Sequence, residues 1–353
     1  MPGGNHRRAP VRAFFSRGTR RAATSEGSRR ARIVSAGSLG ATVAAVSFLV
    51  PGLMVDAATA TTGPTDCTTV THPLGAATGY TEFVLTNGQR GSESEGAIAY
   101  GGNLDAPGMT VGTRLTSPSH APTMVVAGSR TGGANLQKGS AYVVPKSGIN
   151  FNGGGSYLDT NPIDFADAFA YLEGVSDYAA AADPTGTVTT GTAGGNQVLV
   201  LKGTDPTLNI FEIDASALAA QPGIGYDVPL GSGVLVNVTG AAPTVKGQVW
   251  IKESGTWFQA NDSVMEDWPG IVWNYPGTDT FTVQVGSAWG GTIVAPRAHL
   301  AIASAGHTIG QMVSKSFASA YETHQRLLPA SFCLPNSSTP DPSDPADPSD
   351  PAA

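Results

Sequence analysis

Charge is scarce in this chain. Asp, Glu, Lys and Arg make up 13% of its 353 residues, too little for the solvated faces of a charged helical bundle. Cysteine is scarcer: Cys67 and Cys333 are the two present, which excludes cysteine-rich metal modules and small disulfide scaffolds. The apolar run Val43 to Val55 is shorter than the ~20 residues a membrane span needs. Helical periodicity is confined to one long stretch. Turn-forming residues are plentiful, with 45 Gly and 25 Pro, so the composition describes many short strands joined by turns.

The charges that exist are segregated. Nine of the 20 basic residues fall in residues 1–60, beside Glu26 and Asp56, which leaves 11 basic against 25 acidic residues in the remainder. An acidic surface repels phosphate backbones, so nucleic acid is not an expected partner. Residues 1–60 read as a signal peptide with a basic start. Arg29-Arg30-Ala31-Arg32 precedes the apolar run, and Ala58-Thr59-Ala60 follows with the small-x-small pattern of a cleavage site. An uncleaved anchor is the alternative. Arg29-Arg30 touches on the twin-arginine pattern, but Arg32 stands where that signal wants an apolar residue. Membrane contact is expected through this segment alone, and the mature chain is expected to be secreted or held at the cell surface. In an oxidising compartment Cys67 and Cys333 are expected to form a disulfide, with Cα atoms within ~7 Å, rather than stay as two separate thiols.

The one long helix is expected over Asn161 to Ala182. Asn161 supplies a cap, Pro162 suits the first turn, and Asp164 places a negative charge at the positive end of the dipole. Phe165, Phe169, Leu172, Val175, Ala179 and Ala182 recur at the three-to-four spacing of a buried face. Gly174 interrupts them, which predicts a bend or a close packing contact. Around this helix lie short apolar runs bounded by Gly, Asn or Pro: Tyr80 to Thr86, Met124 to Gly128, Gly139 to Val144, Val198 to Gly203, Val234 to Gly240, Gly270 to Tyr275, Gly291 to Pro296 and Thr308 to Val313. Asn209 to Ile213 is a further strand, followed by a helical turn capped by Asp214. Continuous apolar runs and Gly-Asn corners favour a solenoid of uneven coils over a sandwich, whose strands alternate one-sidedly. The helix offers a midway return path, which would let late strands stack beside the earliest. The expected domain spans 61–335, and the Asp/Pro/Ser-rich residues 336–353 lack the apolar content to fold.

Catalytic motifs are missing: there is no Gly-x-Ser-x-Gly elbow, phosphate loop, His-Glu-x-x-His or calcium loop. The pairs Glu93/Glu95 and Glu266/Asp267 could serve as glycosidase carboxylates, but solvated surface is the simpler reading. Glu322 and His324 would share a strand face, and His299 and His307 are the nearest further candidates for metal ligands. Without fixed spacing the expectation is structural histidines, no metal and no cofactor. Trp250, Trp257 and Trp268 cluster in a polar setting; core or edge packing is the usual role of such aromatics, and the alternative, a ligand platform, makes them the candidate binding residues.

Six stretches occur in the order found in choice-of-anchor A domains: Ser92 to Asn103, Ile163 to Phe165, Leu199 to Gly240, Trp273 to Pro276, Gly291 to Pro296 and Tyr321 to His324. Over roughly Leu74 to Pro329 the chain resembles that family of bacterial surface modules, which is grouped with adhesive domains and sometimes labelled collagen-binding. The resemblance implies an all-β, irregular right-handed β-solenoid (β-helix) with one long flanking helix, like the bacterial ice-binding fold. It also implies a non-enzymatic role in binding matrix protein or surface glycan. Leu334 to Ser338 only faintly echoes the sortase signal that some anchors use. A polysaccharide-active β-helix enzyme and an ice-binding protein are the rival readings.

Overall fold

The computed structural model describes residues 73–116, 122–304, 306–332 and 334. The export segment, the acidic tail, Cys67 and Cys333 lie outside them, and with them the expected cleavage and disulfide. The described chain is mostly β with few helices, and none of its helices is long and apolar enough to cross a membrane.

The largest ladder is parallel throughout. From one end its strands are Ser140–Val144, Pro122–Leu136, Ala97–Tyr100, Tyr80–Val84, Met312–Ser319, Thr292–Ile302, Ile271–Asn274, Gly233–Thr239 and Leu208–Asp214. The chain therefore enters in the middle and stacks outward to Ser140–Val144. It resumes at the far end with Leu208–Asp214 and works back until Met312–Ser319 pairs with Tyr80–Val84. Late strands thus lie beside the earliest.

The connection between the two halves contains helix α1, Phe165–Ala180. Its 16 residues extend roughly 24 Å, the width of about five rungs. The cap is Asp164, which accepts from the N–H groups of Ala166 and Asp167, while Asn161 closes a separate turn onto Ile163. Phe165, Ala168, Phe169, Leu172, Ser176 and Ala179 face the sheet, and Val175 is only partly buried. Phe83 stacks on Phe165 and Phe169, each 5.6 Å away between ring centres. Leu172 and Ala179 join the same apolar cluster as Leu235, Val272 and Val294, and a polar network is set beside it. Ser176 Oγ donates to Asn274 Oδ1 (2.6 Å), Asn274 Nδ2 donates to the Ser176 carbonyl and Asn237 Oδ1, and Asn237 Nδ2 donates to the Ala179 carbonyl. A Cβ on Gly174 would meet nothing within 4 Å, so the close packing expected there is absent.

Three long strands, Thr292–Ile302, Met312–Ser319 and Pro122–Leu136, continue past this sheet into a second parallel ladder. It runs Thr244–Glu253, Phe281–Val285, Thr292–Ile302, Met312–Ser319, Gly88–Arg90, Leu104–Val111 and Pro122–Leu136. Glycine permits a comparable bend in Thr244–Glu253, which turns from this ladder to pair with Gly223–Asp227: Gly247 has φ +78°, and a Cβ there would fall 1.3 Å from the Pro222 carbonyl oxygen. A third, shorter ladder joins Trp289–Gly290, Thr308–Ile309 and Thr323–His324, and Ser94 bridges it to Val111. Between the ladders sits an apolar core that includes Tyr100, Met124, Phe211, Trp273, Trp289 and Phe317.

Candidate functional site

The second ladder is the exposed one. Its outward residues fall in register across seven strands: Thr244, Thr282, Ala301, Ala318, Gln89, Asp105 and Thr131. At ~4.8 Å per strand the row spans roughly 29 Å. All seven are partly or fully exposed, whereas the corresponding face of the first ladder lies under α1. Small side chains at Ala301, Ala303, Ala318 and Ala320 leave an open trough of about 710 Å³ along it.

The tryptophans divide. Trp268 is 1% exposed, packs in the core and donates from Nε1 to Glu253 Oε1 (2.9 Å). As a binding residue it must be withdrawn, because it offers no surface. Trp250 and Trp257 are partly exposed and share one outward sheet face with Lys252 and Gln259, through the antiparallel pairing of Thr244–Glu253 with Thr256–Gln259. Both lie over glycine. The Trp250 ring occupies the space a Gly194 side chain would fill, and Trp257 covers Gly225. The Lys252 ammonium sits 5.6 Å from the Trp257 ring centre and pairs with Asp227 at 2.9 Å.

Members of the acidic pairs have partners of their own. Glu93 accepts from Thr113 Oγ1, while Glu95 accepts from the Gln325 N–H and pairs with Arg114 at 3.2 Å. A second trough, about 770 Å³, crosses the rungs near Glu93, Thr110, Asn135 and Asn150, and among the described residues Glu93 is the one carboxylate lining it. Glu266 is largely exposed, 3.9 Å from Arg326.

The histidines give a denser result. His307 and His324 stack, with ring centres 3.9 Å apart and planes at 17°. Asp262 joins them from the loop after Thr256–Gln259: its Oδ1 lies 2.9 Å from His324 Nδ1 and its Oδ2 lies 3.3 Å from His307 Nε2. Glu322 Oε2 lies 3.3 Å from His324 Nε2, and Glu95 Oε1 is 4.0 Å from its Nδ1. Burial works against charge on His324, but the Asp262 hydrogen bond and the Glu95 and Asp262 charges outweigh it and raise its pKa. Burial and the neighbouring His324 lower that of His307. Burial of Asp262 is likewise outweighed by its histidine partners, which hold its carboxyl below the usual range. His299 stands apart, its Nδ1 2.8 Å from Ser316 Oγ. Sequence spacing named His307, Glu322 and His324, missed Asp262, and set Glu95 in a pair with Glu93 instead; Asp262 and Glu95 reach the cluster only through the fold.

These features describe a mostly parallel-β scaffold with one face sealed by a helix and another left open. The family described as "Putative Ice-binding-like adhesive domain" matches residues 73–325, and the chain belongs to that family. Among solved structures it is similar to an ice-binding protein from an Antarctic biological consortium, at 14% identity and a TM-score of 0.33 over 73% of this chain and 90% of that one. It is similar also to the Shewanella frigidimarina ice-binding protein 1 domain, at 12% identity and a TM-score of 0.37 over 73% and 99%. A glycosylated ice-binding protein from an Arctic yeast shows 14% identity and a TM-score of 0.31 over 74% and 96%. No curated protein matches the chain in sequence.

Proposed function

We propose that the chain is an exported, non-enzymatic surface module that adheres to an extended extracellular partner, a matrix protein or a surface glycan, through its open sheet. The observation that carries this reading is the row from Thr244 to Thr131, aligned across seven strands and uncovered while the opposite sheet is sealed. A flat face of small side chains suits a broad contact better than a small-molecule pocket, which is concave and deep. The non-enzymatic reading is supported by the carboxylates: glycoside hydrolysis needs two across one cleft, and the 770 Å³ trough is lined by Glu93 without a second. We further assign the architecture to a right-handed β-solenoid, supported by parallel ladders whose strands bend from one face to the next. The narrower family assignment, to choice-of-anchor A domains, rests on the six motifs quoted above.

The test is adhesion of purified residues 61–335 to immobilised collagen, other matrix proteins and a glycan array. Ala301→Lys with Ala318→Lys should abolish binding, and Trp250→Ala with Trp257→Ala should leave most of it. Binding indifferent to the lysines would overturn the open-sheet assignment. Turnover of a polysaccharide, lost on replacing Glu322 or His324, would overturn the non-enzymatic one.

A second reading has its own observation. Four of the seven residues in the row, Thr244, Thr282, Ala301 and Ala318, have the regular small-residue character of a surface that could order water, although Gln89 and Asp105 interrupt it. Thermal hysteresis lost in Ala318→Lys would make ice the partner; its absence at millimolar protein would remove that reading.

A further inference from the structure

We propose that Asp262, His307 and His324 form a binding site for one divalent transition-metal ion of the Zn²⁺ type, which clamps the loop after Thr256–Gln259 onto the third ladder. Each of the three residues offers a donor atom within 4.8 Å of the others. Donors around a tetrahedral ion with bonds of 2.0–2.1 Å stand about 3.3 Å apart. Here His307 Nε2 and Asp262 Oδ2 are separated by 3.3 Å, and His324 Nδ1 and Asp262 Oδ1 by 2.9 Å. Asp262 Oδ2 is also 3.0 Å from His324 Nδ1, so one carboxylate oxygen lies near both imidazole nitrogens.

Three further features point the same way. His307 Nε2 is buried yet makes no hydrogen bond, an orphan polar atom that an ion would satisfy. His324 turns its other nitrogen to Glu322 Oε2 at 3.3 Å, the outer carboxylate that commonly fixes the tautomer of a metal-bound imidazole. Glu95 Oε1, 4.0 Å from His324 Nδ1, is placed to give a fourth ligand, while its Oε2 is held by Arg114 and the Gln325 N–H. Two imidazoles in the donor set select a transition ion over Ca²⁺ or Mg²⁺, which take oxygen ligands. On binding, the ion takes the place of the proton between His324 Nδ1 and Asp262, and that proton is released. The lone pairs of two stacked rings run side by side rather than converge, so one ring must turn. His307 can do so without losing a hydrogen bond at Nε2.

The site has a structural logic. His324 belongs to the strand whose neighbour Thr323 bridges to Ser94, where the late chain meets the early chain. Asp262 begins the loop that places Met265 against Gly290 and leads to Trp268 in the core. An ion there ties a covering loop to the seam between the two halves.

The experiment uses untagged, EDTA-stripped, dialysed protein titrated calorimetrically with Zn²⁺, alongside thermal melts with Zn²⁺, Ca²⁺ or EDTA. One Zn²⁺ should bind per chain and raise the melting temperature, with Ca²⁺ inert. His307→Ala and Asp262→Asn should each weaken binding by at least about tenfold and remove the melting shift, whereas His299→Ala should preserve both. His307 is partly exposed, so its truncation leaves the fold intact, and the metal-free melt of each variant verifies this. No Zn²⁺ binding by the stripped wild type, or binding that survives in both cluster variants, would overturn the proposal.

Discussion

Glu82 and Arg90 meet inside the molecule, 3.1 Å apart, with neither side chain exposed. Glu82 stands in the inward row of the helix-covered sheet, paired in register with Ile98 on one side and Met312 on the other. Arg90 reaches it from the open sheet and also donates to the carbonyls of Ser319, Tyr321 and Glu93. Tyr100 and Thr323 donate their hydroxyls to the same carboxylate. One buried charge pair therefore joins the first strands of the chain to the last.

Removing one member should be costly. Breaking a buried pair leaves an uncompensated charge in the core, worth about 3–5 kcal/mol. Arg90→Met is expected to lose about that much in urea unfolding. Adding Glu82→Gln should recover part of it, since a neutral amide oxygen still accepts from Tyr100 and Thr323. A single variant as stable as wild type would show that this seam does not hold the two halves.

The polar docking of α1 gives a smaller effect. Asn274→Ala would strip partners from Ser176 Oγ, the Ser176 carbonyl and Asn237 Oδ1, all in a buried setting. Unsatisfied buried groups cost about 1–3 kcal/mol, so a loss near 2 kcal/mol is expected by chemical denaturation. Asn274→Asp should lose more, because its carboxylate would face the Ser176 carbonyl and Asn237 Oδ1, both acceptors.

Much of this could be read in advance, and the exceptions share a cause. The apolar period of Phe165, Phe169, Leu172 and Ala179 located α1 and its buried face, because that information is local. The Asp214 cap was local too: its side chain accepts from the Ser216 N–H at 2.8 Å. Glu82 was not legible. Nothing in the Tyr80 to Thr86 run marks it as a buried residue, but Phe83 claims the face toward α1 and turns Glu82 inward. Its partners lie 8, 18 and 241 residues away. Asp262 in the histidine cluster is likewise 62 residues from His324. Trp268 took the core role that such aromatics usually have, and only its candidacy as a binding residue fails; its polar neighbours in sequence could not separate it from Trp250 and Trp257.

Gly174 is a place where stability can be gained. It lies in the interior of α1, and a Cβ there would meet nothing within 4 Å. Alanine should therefore add about 1 kcal/mol, through helix propensity and a less disordered unfolded chain. A loss of stability instead would mean that the helix needs the flexibility of glycine.

Alkaline pH should expose the buried tyrosines. Burial pushes Tyr80 up to about 12, and it raises Tyr100 and Tyr226 as well. A tyrosine in the unfolded chain ionises near pH 10, before the folded one does. Its contribution is fully present below that pH and is lost as pH rises through the folded value. For Tyr80 a shift of this size corresponds to about 2–3 kcal/mol. Urea unfolding between pH 9 and 12 should show stability falling steeply above 10, while tyrosinate absorbance of the native protein lags behind that of the unfolded chain. Tyr80→Phe should flatten part of the fall. If it leaves the alkaline limb unchanged, Tyr80 ionises in the native state and its burial under the helix-covered sheet is not maintained in solution.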